Sequence, residues 1–442
     1  MTPLPLADKR TLTSNWSGSV DFSAADVEHP GTESAVIHHI ARATAHGHSL
    51  RPIGAGHSFS PLCETDGTLL TLDNHRGLVK VDRATGDATF RAGTRLMEIG
   101  PALARHGRGM INMGDVDAQS IAGAISTGTH GMGHQMQGLA ATVTGLRIAL
   151  ASGDVVWADK DTNPRLFEAA RLSLGVIGII LEVRMATAPA FRLESRDENL
   201  PVDDAVAGFL QSSTEADHQE IFWFPGSTRA TLHTMHRREA GARRSRPNRV
   251  SSFVSRELLA NGVWEIMCRA GTRSPRVAPA LADVASRFFP GAAVTDDSHT
   301  VFTAPRRVRF HEAEYAIAAE AFPEAFGKVR ARIHREFRDV LFPLEIRRAA
   351  ADDVWMSTCY DRDTIYIAAH TYHRRDGYAF QQAVQEELME FDPRPHWGKM
   401  HWLDADYFAR VYPRFDDFRT VRAEVDPKGI FLNDHTRTVL DV

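Results

Sequence analysis

Two prolines bracket the segment that most restricts how this chain can fold, Arg51-Pro-Ile-Gly-Ala-Gly-His-Ser-Phe-Ser-Pro61. Gly54 and Gly56 admit positive φ and let a ligand approach the backbone closely. The free N–H groups from Ile53 through Ala55 to Ser58 can form a nest for a phosphate. Ser58 and Ser60 add hydroxyl donors, and His57 stands between the glycines and the serines. The segment begins like a dinucleotide fingerprint, but Phe59 follows Ser58 and the third glycine is missing. Pro61 also opposes a helix starting there. The segment therefore reads as a phosphate loop outside the Rossmann type, with an ordinary tight turn as the alternative.

A second loop decides between these readings. It runs Gly114-Asp-Val-Asp-Ala-Gln-Ser-Ile-Ala-Gly-Ala-Ile-Ser-Thr-Gly-Thr-His-Gly-Met-Gly133. The hydroxyls of Ser120, Ser126, Thr127 and Thr129 alternate with Gly123, Gly128, Gly131 and Gly133, and His130 lies near its end. Two such loops can clasp a pyrophosphate from both sides.

Together these loops resemble those of the FAD-linked oxidases of the vanillyl-alcohol oxidase type, and within them the sugar-1,4-lactone oxidases. Supporting segments are Asn15-Trp-Ser-Gly18, Glu345-Ile-Arg347, Pro395-His-Trp-Gly-Lys399 and Phe431-Leu-Asn433, in the family's order. The segment Phe310-His-Glu-Ala-Glu-Tyr315 is similar to a family Glu-x-Glu-Tyr/Trp stretch. The resemblance implies an α+β, two-domain fold, with an FAD-binding domain over 12–189 and a substrate domain over 190–442 whose C-terminal segment returns to the first. It implies FAD, tethered covalently through His57. It also implies cofactor contacts from Ile53 to Ser58, from Ser120, Gly123 and Ser126 to His130, from Gly178 and Ile179 at the adenosine end, and from His396 and Lys399.

Composition sets few limits. The 51 basic and 56 acidic residues leave a formal charge of −5, which gives no support to a polyanion-binding surface. Cys63, Cys268 and Cys359 are odd in number and far apart, as suits a reducing compartment rather than a disulfide scaffold. The first ten residues lack the basic-then-apolar order of a signal peptide. No run approaches the roughly 18 apolar residues of a membrane span. A cytoplasmic location is the expectation.

Periodicity predicts a helix over 32–46 capped by Thr32, whose His38, His39 and His46 make a solvated face rather than a metal site. Hairpins are predicted over 79–91 and 147–158, helices over 94–106 and 164–172, and a buried strand over 175–181. Beyond Ala188-Pro189 amphipathic helices are predicted over 202–211, 277–289 and 314–337. The six arginines between Arg237 and Arg249 read as an exposed loop, since no aromatic residues interleave them.

The second half supplies polar groups suited to a carbohydrate. Glu345 and Arg347 are two apart on a strand-like segment and share one face. A carboxylate beside a guanidinium binds a polyol or lactone oxygen, although an ordinary ion pair fits the spacing equally well. His370 ends the strand-like Thr364–Tyr372, and Lys399 sits among Trp397, Trp402, His396 and His401. The resemblance implies hydride transfer from C2 of a sugar lactone to the flavin, with oxygen or a cytochrome-like protein taking the electrons. Glu345 and Lys399 would orient hydroxyls, Arg347 would favour the reduced ring, and the base stays open among His370, Lys399 and Glu345. An alditol oxidase is the nearest alternative. His130-x-x-x-His134 prompts a metal hydrolase, but Gly131 and Gly133 oppose the helix that spacing needs. No nucleic-acid partner, resident metal or membrane span is expected.

Overall fold

The computed structural model describes residues 11–211, 216–245, 262–288, 293–303 and 307–442. The first ten residues, where a leader would be read, lie outside this set, as do 246–249 of the arginine-rich segment.

The N-terminal half holds two main sheets, beside the two-stranded pairs Thr11–Ser14 with Asp21–Ala24 and Arg108–Gly109 with Ala188–Pro189. Asp26–Glu28, Thr68–Thr71 and Leu50–Ile53 pair in parallel, with Thr68–Thr71 central. The second sheet is antiparallel and built from the two predicted hairpins, joined through Ile179–Met185. Glu33–His46 forms as expected: Thr32 accepts from the amide of Ala35, and Gly47 ends the helix at φ 66°. Leu50, Leu70, Phe90, Ile121, Leu146 and Ile148 are completely buried in one apolar core. The last helices, Ala405–Val411, Phe415–Val425 and Asp434–Leu440, contribute Phe408, Phe418 and Leu440 to that same core.

Arg51 ties these pieces together. Its guanidinium is completely buried and donates to the carbonyls of Leu62 (2.9 Å), Gly175 (3.0 Å), Leu174 (2.9 Å) and Phe431. Asn433 adds bonds to the carbonyls of Pro61 and Glu64, both at 2.8 Å. The Phe431-Leu-Asn433 segment therefore fastens the far end of the chain beneath the first loop.

The second half is one antiparallel eight-stranded sheet. Its order is Val294–Asp297, Phe191–Pro201, Arg229–Glu239, His218–Trp223, Leu344–Ala349, Thr364–Tyr372, Phe310–Ala318 and Arg394–Pro395. Strand alternation sorts its residues. Ile221, Leu232, Leu344, Ile346, Ile365 and Ile367 project to one face and pack with Phe209, Phe322 and Phe326 from the helices Val202–Gln211 and Phe322–Glu336. Full burial of each such side chain contributes about 1.5–3 kcal/mol. Glu220, Glu345, Arg347, His370, Glu312 and Glu314 alternate with these apolar residues and so project to the other face.

Three expectations need correction. The strand expected over 175–181 starts only at Ile179, because Gly175 (φ 70°) and Gly178 (φ 154°) hold a turn before it. The stretch 314–337 is not one helix: Phe310–Ala318 is a strand, and the helix begins only at Phe322. Alanine and glutamate favour helix locally, but pairing on both sides with buried strands overrides that preference. Arg237 and Arg238 likewise end the strand Arg229–Glu239 instead of opening a loop. Arg237 is held by its ladder with Leu193 and by stacking 4.4 Å over the Phe191 ring.

Candidate active site

The first loop leaves the parallel sheet at Ile53 and turns at Gly56, φ 66°, a left-handed conformation that favours glycine. Trp16 clamps it from outside. Its amide donates to Gly56 (2.7 Å), its ring stacks on the His57 imidazole at 5.2 Å, and Asn15 donates to the Ser58 carbonyl (2.9 Å). The second loop turns into the short helix Ile121–Ser126, capped by Ser120. The two loops approach so closely that a methyl group on Gly54 would collide with Ser120 Oγ and lie 3.8 Å from Gly123 Cα.

Between them runs a cleft. Its lining contains Ile53, Gly54, Ala55, Gly56, His57, Ser58, Ser120, Gly123, Ser126, Thr127, Gly178 and Ile179, as expected from the sequence. Leu70, Leu72, Leu174 and Ile180 supply apolar walls. Glycine walls, hydroxyls at one stretch and aliphatic side chains at another fit a dinucleotide with a flat ring system. Arg51 also borders the cleft, a buried positive charge whose N–H groups are taken by backbone carbonyls.

Gly128, Thr129, His130, His396 and Lys399 stand outside that lining, and the last three meet the large sheet at Glu314 and Glu312. Gly128 ends the short helix at φ 80°, and Thr129 bonds Gln119 at 3.1 Å. The 396–399 turn docks on the first loop: Phe59 donates to Gly398 (2.7 Å) and Ser60 to Trp397 (2.8 Å). Lys399 thereby comes to lie 5.1 Å over the Phe59 ring. Burial, and then the Lys399 and Arg95 charges, push His57 down to about 4, so its imidazole is neutral at neutral pH.

On the polar face of the sheet the expected pocket residues converge. Arg347 pairs with Glu345 and donates from Nε to Glu220 Oε2 at 2.8 Å; Asp115, from the second loop, lies 3.7 Å away. Lys399 pairs with Glu312. His370 Nδ1 is 3.1 Å from the Pro343 carbonyl, an acceptor only, so Nδ1 carries a proton. Its Nε2 is 3.4 Å from Glu312 and 3.8 Å from Glu345. Burial alone would lower the Lys399 ammonium, but Glu312 and Glu314 more than offset it and hold it above its ordinary value. Burial would raise the Glu312 carboxyl, yet Lys399 and His370 hold it well below the usual range.

Asp115, Glu220, Glu312 and Glu314 were not singled out from the sequence as pocket residues. For Glu312 and Glu314 the signal was present, the same two-residue spacing as Glu345 and Arg347, and was hidden by the helical reading. Glu314 lies 3.2 Å from His130 Nε2, and with His396 these side chains could in principle hold a metal. The hydrogen bonds oppose it. The Gly398 amide donates to His396 Nδ1 (3.0 Å), so the neutral ring carries its proton on Nε2 and offers no free lone pair. The stretch from His130 to His134 is not helical, so that pair does not form a helical ligand set.

Residues 24–159 match the FAD-binding domain model, and residues 183–439 match the D-arabinono-1,4-lactone oxidase model. The chain belongs to the D-arabinono-1,4-lactone oxidase family. Within this group it is similar to an L-gulono-1,4-lactone dehydrogenase of Mycobacterium tuberculosis, 36% identical over 97% of this chain and 99% of that one. It is 26% identical to the L-gulonolactone oxidase of Mus musculus, covering 96% and 97% of the two chains. An alditol oxidase of a Streptomyces species is 29% identical, covering 98% and 99%. The fold is also that of a cholesterol oxidase from Brevibacterium sterolicum (TM-score 0.82, 17% identity, 100% of this chain and 99% of that one). The chain carries an FAD-binding domain and is an FAD-dependent oxidoreductase.

Proposed function

We propose that the protein oxidises a sugar-1,4-lactone at C2, giving an ascorbate-like product, with FAD bound in the two-loop cleft and tethered through His57. The observation that carries this reading is the meeting of Lys399, Glu345, Arg347 and His370 on the polar face of the sheet, beside the His57 loop. FAD supplies the hydride acceptor; the protein's side chains bind, orient and move the proton.

Their states divide the work. Lys399 stays an ammonium and donates hydrogen bonds to substrate hydroxyls, which removes it from the role of base. Glu345 is engaged by Arg347 and accepts from a hydroxyl with its remaining lone pairs. That leaves Glu345 and His370 as the candidates for the base: His370 Nδ1–H is anchored on Pro343, and its Nε2 lies beside Glu312 and Glu345. Arg347 places positive charge where a reduced ring accumulates negative charge. A neutral His57 with its ring held by Trp16 suits bond formation to the 8α-carbon of the flavin.

Oxygen or a cytochrome-like protein takes the electrons. Three unbridged thiols support a reducing, cytoplasmic location. Among the described residues no helix is long and apolar enough to cross a membrane. Turnover of L-gulono-, L-galactono- and D-arabinono-1,4-lactone measured beside xylitol and sorbitol tests the assignment. Higher kcat/KM for a lactone supports it, and preference for xylitol or sorbitol would move the protein to the alditol oxidases.

A further inference from the structure

Behind Arg347 the sheet carries a line of charge that the chemistry above does not use. Arg347 is directly opposite Glu220 in register, Glu220 is opposite His233, and His233 is opposite Asp197. These residues sit on four consecutive strands of the sheet, Leu344–Ala349, His218–Trp223, Arg229–Glu239 and Phe191–Pro201. Residues directly opposite in an antiparallel pair place their side chains on the same face in contact range. The two ends of the line are in contact, Arg347 Nε donating to Glu220 at 2.8 Å and His233 Nδ1 pairing with Asp197, and between them His233 and Glu220 act on each other through their charges. Each of these side chains is less than one fifth exposed.

We infer that Glu220, His233 and Asp197 are positioning residues that set how much of the Arg347 charge reaches the cofactor. The inference rests on the reading that Arg347 faces the flavin. Glu220 holds the guanidinium from behind and, by pairing with it, withdraws part of its field. A protonated His233, itself held by Asp197, neutralises Glu220 in turn and so leaves more of the Arg347 charge directed to the ring. The groups facing His233 are Asp197 and Glu220 from the flanking strands and Arg347 from the strand beyond Glu220. Burial lowers its imidazole, but the Asp197 bond and the Glu220 charge outweigh that and hold it above the ordinary histidine value. With His233 protonated the bound flavin is the stronger oxidant; with His233 neutral it is the weaker one.

The test is the two-electron reduction potential of bound FAD, measured against pH in the wild type and in His233→Gln. Both proteins share the ring's own proton uptake, so the difference between them isolates His233. At neutral pH the variant is expected to hold FAD with a potential lower by about 30 mV, corresponding to roughly a tenfold change for this couple. The two curves are expected to converge at alkaline pH, where wild-type His233 loses its proton. Equal potentials at every pH, with FAD bound in both, would overturn the inference. Should His233→Gln not fold, Asp197→Asn carries the test: its potential should fall to the alkaline branch at lower pH than the wild type, and coincidence with the wild type overturns the inference. Wild-type protein that takes up no FAD would instead remove the flavin reading beneath it.

Discussion

Arg347 and Glu220 are 127 residues apart in the chain, yet Nε of one lies 2.8 Å from Oε2 of the other, with both side chains at most 8% exposed. Glu345 meets the same guanidinium. Removing the cation leaves two carboxylates buried without it, a change that typically costs about 3–5 kcal/mol. Arg347→Met is therefore expected to lower the urea midpoint clearly and kcat by at least about a hundredfold. Arg347→Lys keeps the charge but loses the planar fork, and should recover stability better than turnover. An Arg347→Met protein with wild-type midpoint and kcat would show that the pair is incidental.

Lys399 depends on Glu312 in a way that a pH profile reads. The ammonium is held above its ordinary value only because Glu312 and Glu314 offset burial. In Glu312→Gln the burial effect gains weight and the folded-state value of Lys399 falls. Loss of kcat/KM on the alkaline side is expected to begin at lower pH than in the wild type. An alkaline limb unmoved by Glu312→Gln would remove Lys399 from substrate binding.

Five buried or half-buried histidines are expected to make the fold acid-labile. Burial, the largest influence in each case, takes His57, His218 and His435 down to about 4, and His396 and His401 to about 3. A depressed folded-state value means stability that is complete above the unfolded histidine value near 6.5 and is lost as pH falls toward 4. Each such group withdraws up to about 3 kcal/mol by pH 4. Glu314, taken down to about 2 by His130 against the opposing effect of burial, adds a further loss below the unfolded carboxyl value of about 4.5. The Tm is expected to fall steadily from pH 6.5 downward. A flat Tm between pH 6.5 and 4 would contradict these burials.

His57 is the proposed tether, and denaturation reads it directly. Acid-precipitated wild-type protein is expected to keep its flavin in the pellet, whereas His57→Ala releases it to the supernatant. Flavin released from the wild type would leave an FAD protein without the covalent bond.

The cleft was more legible in the sequence than the pocket, for a physical reason. Each cleft loop is local: Gly54 to Ser58 and Ser120 to Thr127 carry their glycines and hydroxyls within a few consecutive residues. Glu345, Arg347, His370 and Lys399 were visible as polar residues in apolar strand-like settings. Their partners were not, because a residue such as Glu220 acquires meaning only once strand register sets it opposite Arg347. Glu312 and Glu314 were obscured differently, since the Ala- and Glu-containing segment from Glu314 onward has the composition of a helix and becomes a strand at its start only through its neighbours. Trp16 illustrates the reverse case. The segment around it was recognisable, but its stacking on His57 exists only in three dimensions.

The most direct measurement is anaerobic mixing of the FAD-loaded protein with L-gulono-, L-galactono- or D-arabinono-1,4-lactone while the visible absorption of the oxidised flavin is followed. Bleaching by at least one lactone within the turnover time, and its loss in His370→Ala and Lys399→Met, is the expected result. A flavin that stays oxidised with every lactone yet is bleached by a polyol would contradict the proposed substrate, and one that no sugar bleaches would contradict the proposed chemistry.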